Sequence, residues 1–262
     1  MKFSDYVSFR EFCTFFLVLA RISSIFLFIP IYGGPLVPIY IKISLVLVLS
    51  IFFTSIYSNT LGINIENLPL SVFGYLLLKE FLFGLTLAFF VNIFISITAI
   101  FGRIVSNLIG FSMVNLFDPT FGQVSPIEKF LIFYAYFLMM VTGLHLYFFK
   151  VLNNTFIYVP LGSIQLDPLL GKEIIIFFNK CFKLGFSLAS PILIVILGIY
   201  VIFAILNRFV PQINIFFVGL PFNLMVGILL LILTFNIFSH SFLNWFKEFL
   251  IYLDKLILSL GK

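Results

Sequence analysis

The chain reads as a series of long apolar runs joined by short polar stretches. The first run covers residues 12–31 and is interrupted by Arg21. Uncharged runs follow at 43–65 (apolar as far as Tyr57), at 81–102, at 130–149 with one His, at 184–207 and at 209–246, the last punctuated by Pro211 and Pro221. A helix needs about 20 apolar residues to cross a bilayer core. The runs therefore predict six hydrophobic helices, at 11–29, 38–58, 71–100, 127–151, 175–206 and 220–240, with no strand-like alternation that would support a membrane barrel. The predicted fold class is all-α: a polytopic membrane-type helical protein whose long helices form hairpins, as a single domain over residues 1–262.

Two connections carry most of the central polar residues. One, residues 102–127, contains Arg103, Asn107, Asp118 and Gln123, with Glu128 nearby; the other, residues 153–183, holds Asp167, Lys172, Glu173, Lys180 and Lys183. If the flanking runs extend into these connections, the third and fifth helices exceed about 30 residues, or about 45 Å, longer than a bilayer core requires. Such helices project beyond the hydrocarbon or are covered by partners. The C-terminal tail, with its amphipathic part at 241–260, has His240, Ser241, Asn244, Lys247, Glu248, Asp254, Lys255 and Lys262 near one stripe and apolar residues elsewhere. This predicts a separate amphipathic helix, lying on a membrane surface or packed on a partner.

Composition narrows the class. Hydrophobic residues make up 62% of the 262 positions, charged residues 10%, and Phe occupies 39. Soluble domains carry about 25% charged residues, so a soluble enzyme, a disordered chain and a nucleic-acid-binding module are excluded. The net charge of +5 comes from scattered Lys and Arg, with no basic block. With the N-terminus inside, Lys2, Arg10, Lys150, Lys172, Lys180, Lys183, Lys247, Lys255 and Lys262 fall on inner segments, against Arg103 and Arg208 outside, which places both termini in the cytoplasm. Lys2, Asp5, Arg10 and Glu11 precede a first run longer than a signal-peptide core, so no cleavable signal is expected. Cys13 and Cys181 are isolated and read as buried apolar thiols.

Candidate chemistry is sparse. A charge inside an apolar run is costly. Arg21 reads either as a gating or subunit-contact ion pair, or as an internal salt bridge or snorkelling side chain. Lys79 and Glu80 are adjacent, point about 100° apart on a helix, and each requires a partner elsewhere, a different chain included. The apolar centres hold no repeated carboxylates of the sort a proton-coupled transporter uses. His145 and His240 are the two imidazoles, and no nucleophile elbow, zinc-protease motif or phosphate loop is present. No enzyme activity, metal or cofactor is expected.

Two segments say more. Residues 110–122 contain helix breakers (Gly110, Asp118, Pro119, Gly122) yet stay apolar through Phe111, Met113, Phe117 and Phe121. A loop of this kind either fills a cavity, where Met and Phe close a pore and repack, or packs on its own helices. In residues 207–221, Pro211 and Pro221 interrupt the backbone while Arg208, Gln212 and Asn214 offer hydrogen bonds to it, which favours a re-entrant or hairpin element over a plain turn between spans.

The run Asn207, Arg208, Pro211, Gln212, Ile213, Asn214, Gly219, Pro221 resembles the signature of the FliR family of flagellar export-gate components and their virulence-secretion counterparts. Arg21 and Pro30, then Gly102, Gly110 and Phe117-Asp118-Pro119, then Gly143, His145, Phe156 and Pro160-Leu161-Gly162 match the family in the same order. The chain departs from it at Ser106, Asn107, Leu144 and Thr155. The resemblance implies a non-enzymatic core subunit of the type III export gate in the bacterial inner membrane, at the flagellar basal body. Its implied partners are FliP-like and FliQ-like subunits, an FlhB-like export switch and unfolded export substrates in transit. It further implies a pore plug at Gly110, Phe111, Met113, Phe117, Asp118, Pro119, Phe121 and Gly122, and assembly contacts at Arg21, Asn207, Arg208, Pro211, Gln212, Asn214, Gly219 and Pro221. The alternative, a small-molecule secondary transporter, requires internal repeats and midplane polar sites.

Overall fold

The computed structural model describes residues 9–34, 37–58, 69–111, 125–164, 169–210 and 215–260. These form α-helices α1 (Phe9–Phe28), α2 (Pro30–Gly33), α3 (Ile39–Tyr57), α4 (Leu70–Leu108), α5 (Pro126–Val141), α6 (Tyr147–Tyr158), α7 (Leu169–Phe209) and α8 (Ile215–Leu260), with a 3-10 turn at Leu144–Leu146. There is no strand among the described residues. Five helices are long and apolar enough to cross a membrane, or six if the broken pair α5 and α6 counts as one span. The protein is an all-α, polytopic membrane-type chain.

The extension of the third and fifth predicted helices holds: α4 has 39 residues and α7 has 41. Two other expectations are corrected. The helix expected at 127–151 is broken, because Gly143 adopts φ +69° just after the Thr142 cap and ends α5. A glycine in the left-handed region is a common helix stop. The helix expected at 220–240 and the separate tail at 241–260 are one helix of 46 residues. No Pro or Gly separates Ile228 from Leu260, so the polar stripe beginning at His240 changes the helix surface without ending the helix. Pro221 lies inside α8. It forfeits one amide hydrogen bond in the second turn, and the other turns carry the helix through it.

Pro191 inside α7 shows how such a loss is repaired. A proline leaves the carbonyl four residues earlier without its amide. That carbonyl belongs to Ser187, and the Ser190 hydroxyl donates to it at 2.8 Å. At the end of α5 the Leu138 carbonyl accepts both the Thr142 amide at 3.1 Å and the Thr142 hydroxyl at 2.7 Å.

The chain forms two compact units: Met1–Asn92 with Gly143–Ile175 and Glu248–Lys262, and Ile93–Thr142 with Ile176–Lys247. In the first, α1 buries Leu17, Val18, Ile22 and Phe26, and α4 buries Phe83, Leu87 and Phe90. Helix α1 comes so close to α4 that a Cβ on Gly84 would overlap the Ser24 hydroxyl and stand 2.6 Å from the Arg21 carbonyl oxygen. In the second, Phe238, Phe242 and Phe246 rise one turn apart along α8, with successive ring centroids 5.8 and 6.3 Å apart. Phe101 stacks on Phe238 at 5.4 Å, and Phe94 lies 5.6 and 5.4 Å from Phe242 and Phe246. Fixed rings of this size bury much apolar area with little rotamer freedom to lose. Outside these cores, α3, α7 and α8 leave long apolar faces exposed, with Ile43, Val48, Phe52, Ile194, Val201, Ile232 and Leu233 among their residues.

Gly84→Ala should lower the thermal unfolding midpoint of the detergent-purified chain, at a cost of about 1–3 kcal/mol from overpacking. Gly198→Ala, where a Cβ meets nothing within 4 Å, should leave the midpoint at or above that of the unaltered chain.

Candidate functional site

The first unit places two opposite charges in its core. Arg21 on α1 and Glu80 on α4 are both fully buried. Nε of Arg21 donates to Oε2 of Glu80 at 2.6 Å. Nη1 donates to the main-chain carbonyls of Thr155 and Val159, each at 2.9 Å. These two carbonyls sit where α6 ends: that of Thr155 also accepts the Val159 amide at 3.1 Å, and that of Val159 lies beyond the last helical residue. The other carboxylate oxygen of Glu80, Oε1, accepts the Gly162 amide at 2.8 Å. Gly162 has φ +82°, a conformation that suits glycine and turns its amide toward the carboxylate. The Phe83 and Phe156 rings flank the guanidinium at 5.1 and 4.8 Å. Nη2 has no partner among the described residues.

The node is electrically neutral and joins α1, α4, the end of α6 and the turn that follows. A charge pair this deep pays off through the hydrogen bonds that fill its remaining valences. Other cations in the unit work the same way: Lys42 Nζ donates to the Gly33 carbonyl at 2.8 Å, and Lys79 Nζ to the Ile164 carbonyl at 3.2 Å. The Tyr32 phenol, at the break between α1 and α3, donates to the His145 carbonyl at 3.2 Å. Burial pushes its pKa up to about 12, so it stays a donor at physiological pH.

The second unit holds an ion pair, Arg103 with Glu128. Nε donates to Oε2 at 3.2 Å and Nη2 to Oε1 at 3.0 Å. Ser125 caps α5, its hydroxyl accepting the Glu128 amide at 3.2 Å. Where α4 ends, the Tyr200 hydroxyl donates to the Leu108 carbonyl at 2.8 Å, Ile109 seats against Gly227, and Gly110 turns out of the helix at φ +83°.

Of the residues expected to plug a pore, Gly110 and the half-buried Phe111 stand at the end of α4. Met113, Phe117, Asp118, Pro119, Phe121 and Gly122 lie outside the described residues. Of those expected at assembly contacts, Arg21 is in the buried node. Asn207 and Arg208 are exposed in the last turn of α7, Gly219 is buried and Pro221 exposed early in α8, and Pro211, Gln212 and Asn214 lie outside the described residues. Sequence reasoning missed the pairing of Arg21 with Glu80, although a cation inside one apolar run and an anion at the edge of another is itself a signal. It also missed Arg103 with Glu128 and the close approaches at Gly84 and Gly102. A glycine in a helical run gives no sign of its neighbour.

Comparison with known proteins gives one consistent result. The family described as "Bacterial export proteins, family 1" matches residues 12–249. The "Flagellar biosynthetic protein FliR" of Aquifex aeolicus (strain VF5) is 28% identical over 249 residues, 94% of either chain. The protein of that name from Bacillus subtilis (strain 168) is 29% identical over 234 residues, covering 86% of this chain and 87% of its own. The one from Buchnera aphidicola subsp. Acyrthosiphon pisum (strain APS) is 32% identical over 164 residues, covering 62% and 63%.

Arg21→Leu should destabilise the chain by about 3–5 kcal/mol, because it strands the Glu80 carboxylate in an apolar core. Adding Glu80→Leu should recover most of that loss. Thermal unfolding of the two single variants and the double variant checks this, and additive losses would contradict a shared node.

Proposed function

The chain belongs to the bacterial export proteins, family 1, and from that premise we propose that it is a passive wall and plug of a protein-conducting gate. It is a component of the flagellar type III export apparatus, a multi-pass protein of the inner membrane at the flagellar basal body. In the proposal the whole chain acts as one export-gate domain and carries out no catalysis. It assembles with FliP-like and FliQ-like subunits, contacts an FlhB-like switch, and lines the path of unfolded flagellar subunits.

The observation that carries the plug is the anchoring of the Phe/Met segment at 110–122. The chain leaves α4 through a left-handed Gly110, two residues after a carbonyl fixed by Tyr200, and α5 starts after its cap, Ser125. An apolar segment between two fixed helix ends can seal an aperture and repack around a passing chain. The wall role draws support from the exposed apolar faces of α3, α7 and α8. Surface of this extent is covered by lipid or by neighbouring subunits. In this reading Asn207, Arg208, Pro211, Gln212, Asn214, Gly219 and Pro221 pack against those subunits, and Arg21 contributes indirectly by holding the unit's shape. Nothing observed favours a secondary transporter.

Phe117→Gly with Phe121→Gly should raise ion leakage through the closed gate while FliP-like and FliQ-like chains still co-purify with this one. Unaltered membrane conductance in an assembled variant complex would contradict the plug.

A further inference from the structure

Helices α1 and α3, joined through α2, form an N-terminal hairpin in which the start of α1 meets the end of α3. Between them lies an open groove of about 520 Å³, a volume typical of small-molecule sites. Phe12, Phe15 and Phe16 form one wall, the Phe16 ring centroid lying 4.8 Å from that of Phe12 and 5.6 Å from that of Phe15. Ile51 stands on the other wall. Polar groups gather at one end: Glu11 in the first turn of α1, Ser55 in the last turn of α3 and Ser58 at its cap. The groove is amphipathic along its length, apolar toward the middle of the hairpin and polar at the helix ends.

Helix α3 has 19 residues, a length of about 28 Å, close to the thickness of a bilayer's hydrocarbon core. It exposes Ile43, Val48, Ile51, Phe52 and Ile56, and no charge occurs from 43 to 65. Its hydroxyls are turned inward on the helix. Ser44, Ser50 and Thr54 each donate to the carbonyl four residues earlier, at 2.8, 2.7 and 2.7 Å. A hydroxyl bonded in this way presents no unmet polar group to hydrocarbon. Beyond Thr54 the surroundings change. Tyr57 donates to Asn153 at 2.8 Å, Asn154 to Asp254 at 3.0 Å and Tyr252 to Glu173 at 2.8 Å. These polar pairs lead from the end of α3 across the first unit, and they mark the level at which hydrocarbon gives way to the head-group region.

We propose that the groove holds a phospholipid whose head carries a primary ammonium, as in phosphatidylethanolamine. The Glu11 carboxylate attracts the ammonium, and the neighbouring Phe12 ring adds a cation–π contribution. The Ser55 and Ser58 hydroxyls donate to the phosphate that the ethanolamine links to that ammonium. An acyl chain runs past Phe16 and Ile51 onto the outer face of α3, since Ile51 both lines the groove and is exposed. A phospholipid with a net negative head, such as phosphatidylglycerol, lacks the ammonium and meets Glu11 with like charge. Seated there, the lipid fixes the depth of the hairpin in the membrane. The site is independent of the reading of 110–122 as the plug.

The chain is reconstituted into vesicles of equal parts phosphatidylethanolamine and phosphatidylglycerol and extracted mildly, and native mass spectrometry counts the lipid it retains. The unaltered chain should retain phosphatidylethanolamine over phosphatidylglycerol by about fivefold, the worth of one ionic contact at a membrane surface. Glu11→Gln should keep a lipid and lose the preference. Ile51→Trp fills the groove from an exposed position and should lose the lipid, whereas Val48→Trp, exposed on the same helix outside the groove, should keep it. In the export apparatus assembled in membranes, a benzophenone side chain in place of Ile51 should crosslink to phosphatidylethanolamine. Equal retention of the two lipids by the unaltered chain overturns the site, and so does unaltered retention in Ile51→Trp. A crosslink confined to protein overturns it as well, and assigns the groove to a polypeptide segment. Should Ile51→Trp fail to fold, Glu11→Gln decides, and an unaltered preference in that variant overturns the proposal.

Discussion

Backbone groups left open where a helix breaks have no water to turn to in an apolar chain, and each must find a partner within the protein. The fold of the first unit follows from how that demand is met. Helix α6 stops at Tyr158, and the chain turns through Pro160 and Gly162 instead of continuing. Arg21 takes two carbonyls at this stop, that of Val159 just past the last helical residue and that of Thr155 as a second donor, and Glu80 takes the amide of the turn while neutralising Arg21. Remove either charge and the other is stranded together with the backbone groups it served. Lys42, Lys79 and Ser190 meet the same demand at Gly33, Ile164 and Ser187. These charged and hydroxyl side chains are spent on the protein's own backbone.

Close approach is the second constraint, and it sets how the phenylalanines are used. Gly84 and Gly102 let helices meet at backbone distance, and Gly227 takes the Ile109 side chain, so the spaces between those contacts are filled by large flat rings. The ladder of Phe238, Phe242 and Phe246 against Phe94 and Phe101 is one such filling. The same composition leaves α3, α7 and α8 with apolar outer faces that suit lipid and neighbouring subunits.

Much of the helical layout was legible in the hydrophobic pattern, because a run of about 20 apolar residues has few alternatives to a helix. The lengths of α4 and α7 followed from apolar residues continuing into the polar connections. The break at Gly143 was not legible, since a single Gly within an apolar run is as compatible with helix packing as with a left-handed stop. Pro221 misled in the opposite direction: a proline near a helix start costs one hydrogen bond and need not mark a break. At the candidate site, Arg21 stood out at once as a buried charge, but its partner lay 59 positions away at Glu80. Periodicity reports which face a residue occupies and not which helix that face meets. The proposed plug and assembly residues rest on resemblance to a family, whereas the contact between Arg103 and Glu128 needed coordinates.

The claim at the centre of this account is that buried charges hold the broken helix ends in place. Hydrogen exchange at the Gly162 amide tests it most directly. In the unaltered chain this amide should exchange slowly, as a donor to a fully buried carboxylate. In Glu80→Ala it should exchange much faster, with the amides of 159–164 following it and those in the middle of α8 unaffected. Unaltered exchange at Gly162 in that variant would contradict the account.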